Sequence, residues 1–363
     1  MEDVTLGESR EQQQSSPQPR GIVEQITPCP QPSSGRRTKL RLDANENTVG
    51  APPHVLDFMK RYLSAVDLSI YPEYDHALED LSDHFSVARD ELILTNGTDD
   101  AIRLLMTTYV DPGSEALLLR PSDPIYKFHA QLAGARIGEI EYRSRTLAFP
   151  MEELLERVSD STRIVVLPNP GSPTGTGTAA PAIEELLAKA PHAVVLVDEA
   201  YYEFSGVTML PAIPNYRNLF VTRSFSAIYG LAGLRCACLF SQSGNIADLR
   251  KIQSPYSVNS LAAMAVRIAL QDHKFIEDYA LEVLTARELL YVGFERLSIP
   301  YVRTQANFVL FEAGARSAEI TDALAGRGIL VHDCRCELPG YVRVTLGTRD
   351  QVQQFLNEME QIW

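Results

Sequence analysis

Between residues 90 and about 240 the chain alternates short, unbroken apolar runs with amphipathic stretches of helix length. Apolar 92–94 is followed by 100–109, 116–119 by 126–132, and 164–167 by 182–190; the runs 194–197 and 219–221 close the series. A strand with one wet face alternates apolar and polar residues, whereas continuous Val/Ile/Leu runs need cover on both faces. Helices returning between parallel strands supply that cover. The expected class is therefore α/β, a mostly parallel sheet between helices. After Pro255 the rhythm changes to long helical patterns over 260–271 and 275–297. Then come apolar 308–311, a helix near 317–326, apolar 328–331 and 341–344, and a closing helix from Arg349. Fewer strands in no strict alternation predict a smaller α+β domain, and the cleft between two domains is a common place for a small-molecule site.

With 47 acidic and 33 basic side chains among 363 residues, the formal charge is −14. No basic run accompanies it, which argues against a nucleic-acid or anionic-membrane surface. No stretch approaches the roughly 20 apolar residues of a membrane span, and the opening Met1-Glu2-Asp3-Val4-Thr5 lacks the basic start of a secretory signal, so a cytoplasmic location is expected. Cys29, Cys236, Cys238, Cys334 and Cys336 form two Cys-x-Cys pairs and a single residue, the pattern of reduced thiols rather than of a zinc site or disulfide framework. Residues 8–37 are rich in Gln, Ser, Pro, Gly and Arg without apolar periodicity, so residues 1–38 are read as a flexible tail.

In open α/β sheets ligands collect at the carboxyl ends of the strands. Thr95-Asn96-Gly97-Thr98-Asp99-Asp100 follows the first run, a glycine turn feeding a helix whose free N–H groups can hold a phosphate. Pro168-Asn169-Pro170-Gly171-Ser172-Pro173-Thr174-Gly175 follows the third. Asp198-Glu199-Ala200-Tyr201 follows the fourth, and Thr222-Arg223-Ser224-Phe225-Ser226 the fifth, with Gly230-Leu231-Ala232-Gly233-Leu234-Arg235 beyond it. Singly, each has a plainer reading: a turn, a rigid proline loop, a helix cap. Together they are expected to face one region, where a carboxylate emerging from an apolar strand needs a partner.

Asn-Pro-x-x-Pro-Thr-Gly, Val-Asp-Glu-Ala-Tyr, Ser-x-Ser-x-x-Tyr-Gly-Leu-Ala-Gly-Leu-Arg and the late Val-Arg-Val-Thr-Leu-Gly-Thr, in this order, resemble the class I/II aminotransferases that use pyridoxal 5′-phosphate. Leu42-Asp43-Ala44-Asn45-Glu46-Asn47, Tyr71-Pro72 and Pro255-Tyr256-Ser257-Val258-Asn259 carry the likeness to the histidinol-phosphate aminotransferase group, from about residue 40 to the end. The resemblance implies the aspartate aminotransferase-like fold: a seven-stranded-type sheet in a large cofactor domain at 66–255, a small domain at 256–363, and a segment 39–65 joining the small domain. It implies that Asp198 keeps the pyridine nitrogen protonated and that Tyr201 bonds the ring's phenolic oxygen. Ser224, Ser226 and Arg235, with Gly97, Thr98 and Asp99, hold the phosphate. Arg343 clamps a substrate carboxylate or meets a phosphate, and Asn47 joins the substrate site. Tyr71 reaches the phosphate of a neighbouring subunit, implying a homodimer acting on a small amino-acid or phosphorylated amine substrate.

Three positions depart from the pattern. The family places a lysine after the second serine, which bonds the cofactor as a Schiff base and carries the proton; this chain has Ala227. Ser172 stands where an asparagine usually donates to the ring's phenolic oxygen, and a hydroxyl can still donate. Asp123 stands where Phe or Tyr stacks on the ring, losing that contact and adding negative charge near a phosphate dianion. Lys127, one turn on, reads as a solvated surface lysine. Two readings follow. One is an aminotransferase-family protein that holds pyridoxal or pyridoxamine phosphate noncovalently, with transamination impaired or lost; the other is a non-catalytic or repurposed ligand-binding protein, or one with changed chemistry, on the same fold.

Overall fold

The computed structural model describes residues 17–24, 26, 28, 35–143 and 146–363. Strand β1 (Leu40–Leu42) precedes seven strands of a large sheet: β2 (Leu92–Thr95), β3 (Glu115–Arg120), β4 (Arg136–Glu141), β5 (Thr162–Pro168), β6 (Val194–Asp198), β7 (Leu219–Ser224) and β8 (Ala237–Phe240). Their order is β2-β8-β7-β6-β5-β3-β4. The five from β4 to β7 are mutually parallel, while β8 runs antiparallel to both β7 and β2. All five expected runs are strands. Their period-2 geometry divides them between two cores: Leu117, Val165, Leu167, Val195 and Val197 point into one, and Ala116, Ile164, Val166, Val194 and Leu196 into the other. Continuous apolar runs were required because helices cover both faces.

The smaller sheet is made of β9 (Tyr301–Val302), β10 (Phe308–Glu312), β11 (Ile329–Asp333) and β12 (Tyr341–Thr345), with β1 paired parallel to β11 at its edge, in the order β1-β11-β12-β10-β9. Helix His273–Leu297 packs on the closing helix Arg349–Ile362, where Gly293 leaves room for the Leu356 side chain and Phe294 lies 5.2 Å from Phe311.

The segment after β1 ties the two sheets together. Its Asn45 backbone N–H donates to Thr345 Oγ1 (3.0 Å) and its carbonyl accepts from Asn307 Nδ2 (3.1 Å), both in the smaller sheet region. Asn47 reaches the other way, donating Nδ2 to the Ile228 carbonyl at 2.9 Å while its Oδ1 accepts from the Val49 and Gly50 amides. Asn45 holds this turn with φ +55°, a left-handed conformation that asparagine tolerates better than most side chains. Within the stretch expected as a flexible tail, the Arg36 guanidinium is fixed by Asp43 (2.8 Å) and Glu46 (3.0 Å), and Gly21–Glu24 makes one helical turn. Residues 1–16 and Cys29 lie outside the described residues. The other four cysteines are free thiols, and burial pushes those of Cys236 and Cys334 up to about 12.

Candidate active site

Because β2 is parallel to β7 through the intervening β8, the loops leaving β2, β3, β5, β6 and β7 emerge at one end of the large sheet. They enclose a cavity of about 160 Å³. Thr98 and Asp99 enter it from helix Gly97–Tyr109, and Asp123 and Tyr126 from the start of helix Pro124–Leu132. Pro168, Pro170 and Ser172 follow β5, Asp198, Ala200 and Tyr201 come from β6 and its loop, and Ser224 and Arg235 flank the turn between β7 and β8. All four expected strand-end clusters contribute to this one space.

One end of the cavity is built for an anion. Gly97 opens a 13-residue helix with φ +77°, a backbone that favours glycine, and a Cβ there would come within 2.5 Å of the Arg235 guanidinium and displace it. The first amides of that helix have no intrahelical acceptors and carry the positive end of its dipole. Arg235 Nη2 bonds Asp99 Oδ2 at 3.0 Å, which holds the guanidinium over the helix start. The Ser226 amide donates to Ser224 Oγ at 3.2 Å, fixing the hydroxyl at the rim; Ser226 itself is not among the lining residues.

The other end is dominated by Asp198, the last residue of β6 and only 5% exposed. Its Oδ2 accepts from the Tyr126 hydroxyl (2.7 Å) and its Oδ1 from the Ala200 amide (3.1 Å). Hydrogen-bonding dipoles without a cation do not offset burial, which pushes this carboxyl from 3.8 to about 6. The buried guanidinium of Arg223, on the neighbouring strand β7, is engaged elsewhere, by Glu199 at 2.7 Å and by Thr208 at 2.9 Å. Burial also raises the Tyr126 and Tyr201 hydroxyls. Tyr201 accepts from Asn45 Nδ2 at 2.9 Å, leaving its proton free to donate into the cavity.

Asp123 caps helix Pro124–Leu132, its Oδ1 accepting the Ile125 amide at 3.0 Å. Its side chain is open to the cleft, yet the surrounding walls push its carboxyl above the ordinary value, with Asp99 and Glu337 adding to the rise against Arg343. Arg343 sits on β12 behind Ser172: Nη1 donates to Ser172 Oγ (2.7 Å) and Nη2 to the Asp43 carbonyl (2.8 Å), while Nε is buried with no protein partner. Ser172 is therefore the link between this arginine and the cavity.

Four other expected residues lie outside the lining. Asn47 has its amide fully engaged by Ile228, Val49 and Gly50. Ala227 is 5% exposed and belongs to the apolar core. Tyr71 is 71% exposed and stacks on Tyr256 with centroids 4.2 Å apart, in a separate cleft. Lys127 bonds Glu139 at 2.8 Å on the exposed side of its helix. Two residues of the site, Tyr126 and Asn45, were not singled out in the sequence. The spacing that puts Tyr126 one turn beyond Asp123 was the available signal.

A mixed seven-stranded sheet with an anion cradle and a buried aspartate at its carboxyl end is the arrangement of a phosphate-cofactor enzyme of the α/β class. The chain belongs to the class I and II aminotransferases, whose family model matches residues 37–359. It is 33% identical over 332 residues to the histidinol-phosphate aminotransferase of Symbiobacterium thermophilum, spanning 90% of this chain and 91% of that protein. To histidinol-phosphate aminotransferase 1 of Carboxydothermus hydrogenoformans it is 32% identical over 327 residues, spanning 89% and 93%. The crystal structure of histidinol-phosphate aminotransferase from Sinorhizobium meliloti in complex with pyridoxal-5′-phosphate shares the fold, with a TM-score of 0.86 and 21% identity over 96% of this chain and 98% of that one.

A carboxyl raised in the folded state binds its proton more tightly there than in the unfolded chain, so stability falls as pH rises from 3.8 to about 6 and the cost persists above that range. Asp198→Asn keeps an acceptor for one donor and removes the charge. The ligand-free variant is expected to be more stable than wild type at pH 7, by on the order of 1–3 kcal/mol, and about equal to it at pH 4. Urea denaturation of both proteins across this range measures the difference.

Proposed function

We propose that this chain is a pyridoxal-phosphate-type aminotransferase homologue of the histidinol-phosphate group that binds pyridoxal or pyridoxamine phosphate noncovalently, with ordinary transamination lost or much reduced. The observation that carries the reading is the pairing, in one cavity, of the Gly97–Arg235 anion cradle with the buried Asp198. When bound, such a cofactor supplies an electron-withdrawing pyridinium ring. Asp198 would hold the proton on the ring nitrogen, and the Tyr201 hydroxyl, oriented by Asn45, would donate to the ring's phenolic oxygen. The helix amides after Gly97, with Thr98, Ser224 and Arg235, would bind the phosphate. Arg343 and Ser172 would meet the acidic group of a small amine substrate.

What these residues do not provide is an amine. The chain has six lysines, Lys39, Lys60, Lys127, Lys189, Lys251 and Lys274, and none lines the cavity. The family's lysine position falls on Ala227, whose methyl can neither bond an aldehyde nor carry a proton. Losing a positioned proton carrier alone costs about 10²–10⁴-fold in rate. Asp123 favours a second reading, a ligand-binding protein that keeps the phosphate cradle and has abandoned the ring.

Micromolar binding of pyridoxamine phosphate by calorimetry, weakened at least tenfold in Asp198→Ala, is the expected result; phosphate binding without ring binding would favour the second reading. Borohydride treatment with pyridoxal phosphate should leave residue 227 unmodified by mass spectrometry in the wild type and modified in Ala227→Lys. We also propose a cytoplasmic homodimer, because Tyr62, Val66, Leu68, Ile70 and Tyr71 expose a run of apolar surface that a second copy would cover. Sedimentation velocity should give about twice the 40.3 kDa chain mass, and Tyr71→Ala should weaken ligand binding if that side chain completes the neighbour's site.

A further inference from the structure

Among the described residues the charges lining the cavity do not balance: Asp99, Asp123 and Asp198 stand against Arg235 as the single lining cation. Arg235 is already bonded to Asp99 at 3.0 Å. Arg343 is held behind Ser172, and Arg223 is buried against Glu199. Arg120 and Lys127, the cations nearest in sequence to Asp123, are turned to Glu141 and Glu139. Neither Asp198 nor Asp123 has a cation as a hydrogen-bond partner: the Tyr126 hydroxyl and Ala200 amide bond one and the Ile125 amide the other, while Arg343 acts on Asp123 only from its place on Ser172 and the Asp43 carbonyl. A pyridine phosphate brings one cation to this pair, its protonated ring nitrogen, and Asp198 takes it. The Asp123 carboxylate is left facing a ligand that also carries a dianion.

Resting on the cofactor reading above, we propose that the cavity selects the amine form of its ligand, and that Asp123 sets this preference: the ligand's own primary ammonium takes the cationic place that no lysine of this chain fills. A neutral hydroxymethyl or aldehyde at that carbon offers Asp123 nothing. Unit charges within about 6 Å at the effective dielectric of a partly open cleft discriminate by tenfold or more. The residue is therefore a specificity determinant rather than a lost stacking contact.

Calorimetric titration of the full-length protein with pyridoxamine 5′-phosphate and with pyridoxine 5′-phosphate tests this without chemistry at the aldehyde. The two ligands share ring and phosphate and differ in ammonium against hydroxyl. Wild type should bind the amine at least tenfold more tightly. In Asp123→Asn, which can still cap its helix, the ratio should fall to within about threefold, through loss of affinity for the amine. Equal affinities in wild type, or an unchanged ratio in the variant, would overturn the proposal while leaving the cofactor reading intact. Binding of neither ligand by wild type would instead overturn the reading on which it rests.

Discussion

A carboxylate buried at the end of a central parallel strand is the constraint around which the site is organised. Asp198 is the last of the five buried residues of β6, and its charge is held there by a tyrosine hydroxyl and a backbone amide, with no cation bonded to it. Leaving an ion so poorly compensated costs stability, and proteins keep such groups where a ligand completes them. The neighbouring residue shows the contrast. Glu199 is equally buried but has Arg223, Thr208 and the Met209 amide around it, a structural ion pair with nothing left to offer. Two adjacent acids at the end of one strand thus take different tasks.

The anion cradle depends on a second constraint, the close approach of Arg235 to Gly97. A Cβ at residue 97 would displace the Arg235 guanidinium, and the φ there suits glycine, so the helix start and the guanidinium are positioned as a unit. The segment around Asn45 then couples this large-domain machinery to the smaller sheet: the same residue bonds Thr345, accepts from Asn307 and orients Tyr201. The joining of the two sheets and the hydroxyl's direction rest on one left-handed turn.

Much of this was legible because burial on both faces leaves a coarse mark in sequence. The runs at β2, β3, β5, β6 and β7 and the late helices could be read directly. Strand β4, Arg-Ile-Gly-Glu-Ile-Glu, was not, because at the sheet edge most of its residues are exposed or half-buried and its charges break the run. Strand β8 was hidden in Ala-Cys-Leu-Phe, too short to declare its antiparallel pairing with β7 and β2. At the site, motif order pointed to Asp198, Tyr201, Ser224 and Arg235, which converge as expected. Asn47 and Tyr126 were not legible in the same way. One polar side chain turns to the backbone and the other to a carboxylate 72 residues away, and only the fold decides which.

The central claim is that this cavity still holds a pyridine phosphate although no lysine reaches it. A crystal structure of the protein grown with pyridoxamine 5′-phosphate tests it most directly. The account predicts density for a ring between Asp123 and Asp198, with its nitrogen on Asp198 and its phosphate on the Gly97–Thr98 amides and Arg235. Phosphate density alone in the cradle, with Asp198 still bonded only to Tyr126 and Ala200, would contradict it.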